Sequence, residues 1–155
     1  MTDFSDLLRH DAVLKDVPAA TKKLLFQHLA GVAAGLLAVD AREIAERLAA
    51  REKLGSTGFG GGVAIPHARI AGIEAVTGVF VRLAQPIEFA AVDDMPVDLV
   101  FLMLSPPDAG ADHLKALARV SRRLRDRGFL AKLRGAASPD AIYALFMIDS
   151  DRNAV

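Results

Sequence analysis

Hydrophobic positions along this chain follow two periods, and the changes between them mark its elements. Leu24, Leu25, Leu29 and Val32 recur at the three- and four-residue spacing of a helical face, and Thr21 stands where an N-cap belongs. Gly31 and Gly35 weaken the far end of that helix. Asp40-Ala41-Arg42-Glu43 has the form of a capping box, and Ile44 and Leu48 carry an apolar face up to Gly55, a natural terminator. Residues 63–65 and 76–83 read as strands, the second clearly alternating, with Gln85-Pro86 expected to end it. Residues 97–104 are apolar on both faces apart from Asp98, as in a central strand covered on both sides, and Ser105-Pro106-Pro107 stops it. Asp112 then caps a long helix with Leu114, Leu117, Ser121 and Leu124 inward and Lys115, Arg119, Arg122 and Arg123 outward. Residues 129–133 add a short helical segment, and Ser138-Pro139-Asp140 opens the last helix over 141–148, leaving 149–155 to fray. Residues 7–17 form an irregular or extended lead-in, and no repeat or low-complexity linker divides the chain.

Composition narrows the class. At 155 residues and 52% hydrophobic, the chain suits a single domain, 1–155, with a sizeable core. Nineteen basic and nineteen acidic residues cancel, so no net field draws it to nucleic acid or anionic lipid. The arginines between Arg119 and Arg134 lack interleaved aromatics and read as a solvated helix face rather than a nucleic-acid surface. The longest apolar run, residues 24–39, includes Gln27 and His28 and is too short and polar to span a bilayer. Without cysteine there is no disulfide or thiol chemistry, and the acidic start is no signal peptide, so a cytoplasmic protein is expected.

The chemistry concentrates in one stretch, Gly55-Ser56-Thr57-Gly58-Phe59-Gly60-Gly61-Gly62-Val63-Ala64-Ile65-Pro66-His67-Ala68-Arg69. Five glycines in eight residues predict a backbone with positive φ and uncovered amides. Pro66 fixes its own φ and biases Ile65 to extended backbone, so a stiff segment delivers His67 beside those amides, with Arg69 two residues on. Amides, arginine and histidine together suit an anion, most simply phosphate. The stretch lacks the Gly-Lys-Ser/Thr ending of a P-loop and the last glycine of the dinucleotide fingerprint, so no nucleotide or other cofactor is expected. A metal site from His67, His113 and Asp98 or Asp112 would lack compact ligand spacing, and none is expected. His10 and His28 are read as structural or surface residues.

Residues 54–69, with Asp98-Leu99-Val100-Phe101-Leu102 and His113-Leu114 downstream, resemble the enzyme IIA domains of the fructose/mannitol type in the bacterial phosphoenolpyruvate-dependent phosphotransferase system, above all their free-standing nitrogen-regulatory members. The resemblance covers roughly residues 7–146. Phe59 and Gly61 depart from it, standing where an aliphatic residue and often Asn are expected. It implies an α/β domain with a mixed β-sheet flanked by helices on both faces. It also implies that His67 takes a phosphoryl group from a small HPr-like histidine phosphocarrier and that His113 stands beside it.

A neutral imidazole is a competent nucleophile toward phosphorus, and the phosphoramidate formed keeps enough transfer potential to pass the group on. His67 is accordingly expected as phosphoacceptor and His113 as a supporting contact. Arg69, Ser56, Thr57 and the amides of Gly61 and Gly62 are expected on the phosphoryl oxygens, with Phe59, Ile65 and Ile70 in an apolar partner patch. The expected function is a phosphocarrier acting chiefly as a regulator of partner proteins by its phosphorylation state. The alternatives are a IIA component feeding a separate IIB for sugar uptake, and a binding module for phosphate or a partner that never turns over.

Overall fold

The computed structural model describes residues 4–148; the tail expected to fray lies outside them. Strand β1 (Leu8–Val17) leads into helices α1 (Lys22–Leu37) and α2 (Ala41–Lys53). Three short strands follow, β2 (Gly58–Gly60), β3 (Val63–Ala64) and β4 (His67–Arg69), then the long strands β5 (Thr77–Ile87) and β6 (Val97–Ser105). Helices α3 (Ala111–Arg123), α4 (Arg127–Gly135) and α5 (Pro139–Met147) close the described chain.

The six strands make one mixed sheet in the order β1-β5-β6-β3-β2, with β4 also on β6. β5 and β6 are antiparallel, whereas β3 and β4 both run parallel to β6 and share its far side end to end. The α1–α2 pair covers one face, touching β1, β5 and β4, and α3, α4 and α5 cover the other. Between the layers, Phe4, Phe80, Phe101, Phe129 and Phe146 form a connected aromatic cluster on buried positions. β6 is buried at every position except Asp98, as its two-sided apolar pattern requires.

Local chemistry sets most boundaries. Thr21, Asp40 and Ser138 each accept a hydrogen bond from an amide in the first turn of α1, α2 and α5, and Asp126 does the same for α4. Several sequence expectations need correction. The lead-in is a full strand paired in parallel with β5. α1 runs through Gly31 and Gly35 to Leu37, and Leu24 points outward while Phe26, Ala30 and Ala33 are buried. β5 does not stop at Gln85-Pro86 but continues to Ile87, because its ladder with β6 is already irregular after Arg82 and Pro86 gives up no regular hydrogen bond there. α3 is capped by Gly110, not Asp112; Leu124 is buried and Leu117 packs against the core as expected, but Leu114 is exposed and His113, Ala116 and Val120 fill the inner face.

Candidate functional site

β3 and β4 would be one strand but for Pro66, which has no amide to donate. The interruption is short, since the Pro66 carbonyl still accepts from the Met103 amide at 2.9 Å and keeps the segment on β6. When pairing resumes, alternation turns Ala68 into the core and puts His67 and Arg69 on the opposite side. His67 thereby enters a seam between the C-terminal turn of α2 and the first turn of α3.

Its ring is held at both nitrogens. Nδ1 lies 2.8 Å from the Ile65 carbonyl oxygen, and Arg51 Nε lies 3.2 Å from Nε2. A carbonyl only accepts and a guanidinium only donates, so Nδ1 carries the proton and Nε2 presents its lone pair. Arg51 Nη1 also donates to the Gly55 carbonyl at 2.9 Å, which aims the guanidinium across the imidazole. Burial pushes the His67 pKa below its ordinary value and the Arg51 charge adds to this, against the Ile65 hydrogen bond and the Glu52 charge. His67 is therefore neutral near pH 7.

Across the seam, the His113 ring centroid lies 5.7 Å from that of His67 at a tilt of 53°. His113 is buried and its Nδ1 is 2.6 Å from the Ser105 hydroxyl at the end of β6. Burial, helped by Arg69 and His67, lowers its pKa too. Arg69 is exposed, its side chain has no hydrogen bond or ion pair among the described residues, and its charge reaches His113. Two neutral imidazoles and two arginines thus line one seam. Such a group can offer a lone pair to an electrophile and positive charge to the oxygens around it.

The structure brings His67, His113 and Arg69 together and disperses the other expected site residues. Ser56 accepts from the Gly58 amide, as a turn cap does. The buried Thr57 donates to Glu52. The glycine run is not a bare loop: β2 pairs with β3, the Gly61 amide donates to Asp93 and the Gly62 carbonyl accepts from Asp98 and Leu99. Val63 pairs with Leu99 but His67 with Met103, so Gly61 and Gly62 lie about 13 Å or more along β6 from His67. Ile65 and Ile70 are buried and offer a partner no surface. Phe59 is half-buried, with the Arg125 guanidinium 5.3 Å from its ring. The exposed apolar residues nearest in sequence to the site are instead Leu54 and Leu114, 84% and 64% exposed.

Sequence reasoning missed Arg51, Glu52 and Ser105. Arg51 and Glu52 look like ordinary charges in the last turn of a helix, and only the turn through Gly55 brings Arg51 to His67. No group of three or more His, Asp or Glu side chains among the described residues gathers as a metal site.

The family of the phosphoenolpyruvate-dependent sugar phosphotransferase system, EIIA 2, matches residues 6–147. The chain belongs to that family. A curated nitrogen regulatory protein from Bradyrhizobium diazoefficiens is 46% identical over 144 residues, covering 93% of this chain and 94% of that protein. The crystal structure of nitrogen regulatory protein IIA-Ntr from Neisseria meningitidis superposes with a TM-score of 0.86 at 34% identity, covering 91% of this chain and 97% of that one. IIA mannitol from Escherichia coli shares the fold, with a TM-score of 0.71 at 20% identity over 87% of this chain and 96% of that one. Both the EIIA 2 resemblance and the α/β architecture expected from the sequence are therefore established, and this EIIA 2 chain sits with the nitrogen-regulatory members. Among its described residues no helix is long and apolar enough to cross a membrane.

Proposed function

We propose that this chain is a phosphohistidine carrier that accepts a phosphoryl group on Nε2 of His67 from a small HPr-like histidine phosphocarrier and regulates partner proteins by its phosphorylation state. The observation that carries the reading is the locked imidazole: Nδ1–H is committed to the Ile65 carbonyl and Nε2 is left as a lone pair in a neutral ring. In the transfer step that lone pair attacks phosphorus and the bond from phosphorus to the donor's imidazole nitrogen breaks; the donor ring, protonated on its other nitrogen, leaves as a neutral imidazole, and the His67 ring, keeping its Nδ1 proton, takes up the positive charge. No proton has to move, so positioning and charge dominate. Arg51 stands over Nε2 and must turn from it onto the phosphoryl oxygens as the new bond forms. The His113 ring stands 5.7 Å from that of His67, and the Arg69 charge acts on it.

Regulation follows from electrostatics. A phosphoryl group brings about two negative charges to His67, and the exposed Leu54 and Leu114 follow Arg51 and His113 closely in the chain. A partner that desolvates those leucines meets a different surface in each state. The chain's place among nitrogen regulatory proteins supports regulation over sugar uptake.

Incubation with phosphoenolpyruvate, enzyme I and the small histidine phosphocarrier tests this by intact-protein mass. The wild type is expected to gain one acid-labile phosphoryl group and His67→Ala none. Full labelling of His67→Ala would overturn the assignment, and no gain in either would leave a binding module.

A further inference from the structure

Transfer itself makes no use of the carboxylate of Glu52, yet that group is among the most enclosed charges in the molecule. Its side chain is only 7% exposed, unusual for glutamate. Oε1 accepts from the Thr57 hydroxyl at 2.6 Å, both oxygens lie 3.1 Å from the Thr57 amide, and Oε2 accepts from Lys22 Nζ at 2.9 Å. Burial pushes the carboxyl pKa up, but the bonds from Thr57 and Lys22 outweigh it and hold the group ionised.

From Thr57 the contacts run on to the imidazole. The Thr57 carbonyl accepts from the Ile65 amide at 3.0 Å, and the Ile65 carbonyl accepts from His67 Nδ1 at 2.8 Å. Pro66 confines Ile65 to extended backbone, which narrows how far that carbonyl can turn relative to the Ile65 amide. A displaced Thr57 therefore displaces the acceptor that decides which ring nitrogen keeps the proton. Lys22, the first residue of α1, ties the same carboxylate to a second helix.

We infer that Glu52 is a positioning residue: by clamping Thr57 it holds the Ile65 carbonyl against Nδ1 of His67 and reserves Nε2 for the phosphoryl group. This rests on His67 being the phosphoacceptor. The carboxylate also opposes the Arg51 charge at the ring, so its loss leaves His67 facing Arg51 with less compensation.

The test is the pair of ¹⁵N shifts of the His67 ring above pH 7 in Glu52→Ala, Thr57→Val and Glu52→Gln, read beside the transfer rate. Wild type is expected to show a single Nδ1–H tautomer. Glu52→Ala is expected to mix the two and to slow labelling about tenfold to a hundredfold, the scale of a misplaced reacting group. Glu52→Gln keeps an oxygen for Thr57 and restores the tautomer, which a loss of bulk stability would not do. His113, held by Ser105, keeps its wild-type shifts in every folded variant and serves as the internal control. Should Glu52→Ala not fold, Thr57→Val carries the test through loss of the 2.6 Å bond, with a smaller admixture expected. An unchanged tautomer in the folded variants overturns the inference. The tautomer is read without any donor, so a wild type that takes no phosphoryl group would sink the carrier function and leave this result standing.

Discussion

The two ends of β6 make opposite use of similar chemistry. At the Asp98 end Arg134, Asp98 and Asp93 are all committed to partners. Arg134 grips the Asp98 carboxylate with Nε at 2.9 Å and Nη2 at 2.8 Å, and Nη2 also donates to the Gly61 carbonyl. Asp93 takes the Gly61 amide and the Met95 amide. At the Ser105 end charge is left in reserve: the Arg51 guanidinium stands on an uncharged lone pair, and Arg69 forms no ion pair among the described residues. An arginine with a bidentate carboxylate partner is a brace. One facing neutral imidazoles has charge available for an incoming anion.

Arg51→Ala should break the functional end hardest. Removing a preorganised donor from an oxyanion typically costs 10²–10³-fold, so the labelling rate should fall by about that factor. The Ile65 carbonyl should still hold the His67 tautomer, and melting should move little. A near-normal rate would mean that Arg51 only guards Nε2.

The structural end is probed by Gly62→Ala. Gly62 has φ of 82°, and a Cβ there would come within 2.5 Å of Arg134 Nη2 and 2.9 Å of Asp98 Oδ1. Strain of this kind costs about 1–3 kcal/mol, visible in denaturant unfolding. Labelling of the folded fraction should be unchanged. Slower transfer by fully folded Gly62→Ala would mean that the glycine run contributes to the site and that the contrast between the two ends fails.

The smallest effect is in pH. His67 and His113 both have pKa values below the ordinary 6.5 in the folded chain. As pH falls below that value the unfolded chain binds protons first, so protonation favours unfolding. Their contribution is whole above 6.5 and is lost as pH falls toward the folded values. Between about pH 7.5 and 5, above the range where carboxylates matter, the wild-type melting temperature should fall more than that of a His67→Gln, His113→Gln double variant. Equal slopes would mean that neither ring is held neutral by the fold.

Much of this was legible from one dimension because the signals are local. Caps at Thr21, Asp40 and Ser138 act within one turn, and Pro66-His67-Ala68-Arg69 sets alternation by itself. The face of α3 was not legible. Its leucines suggest one stripe, but Leu114 is exposed while His113 turns in to meet Ser105 and Ala116 and Val120 follow it. One hydrogen bond from α3 to the end of β6 and the fit of small side chains outweighed hydrophobic spacing. The glycine run misled in a similar way: its composition announces a loop, but Gly58–Gly60 pairs with β3 as a strand and Asp93 takes the Gly61 amide.

The amino-acid sequence alone determined the family and, through that resemblance, the mixed α/β architecture and the histidine on which the chemistry is proposed to turn, because the motif that carries the resemblance is a property of near neighbours. Tertiary structure decided which charges attend that histidine. Arg51 is 16 residues from His67 and Ser105 is 8 from His113, and neither spacing is a helical or strand repeat that would imply contact. Only the folding of α2 and α3 against the β4 edge of β6 brings those groups within 3.2 Å and 2.6 Å of the two rings. Hydrogen bonds act over that range alone, so these contacts to the two rings exist only once the layers have packed.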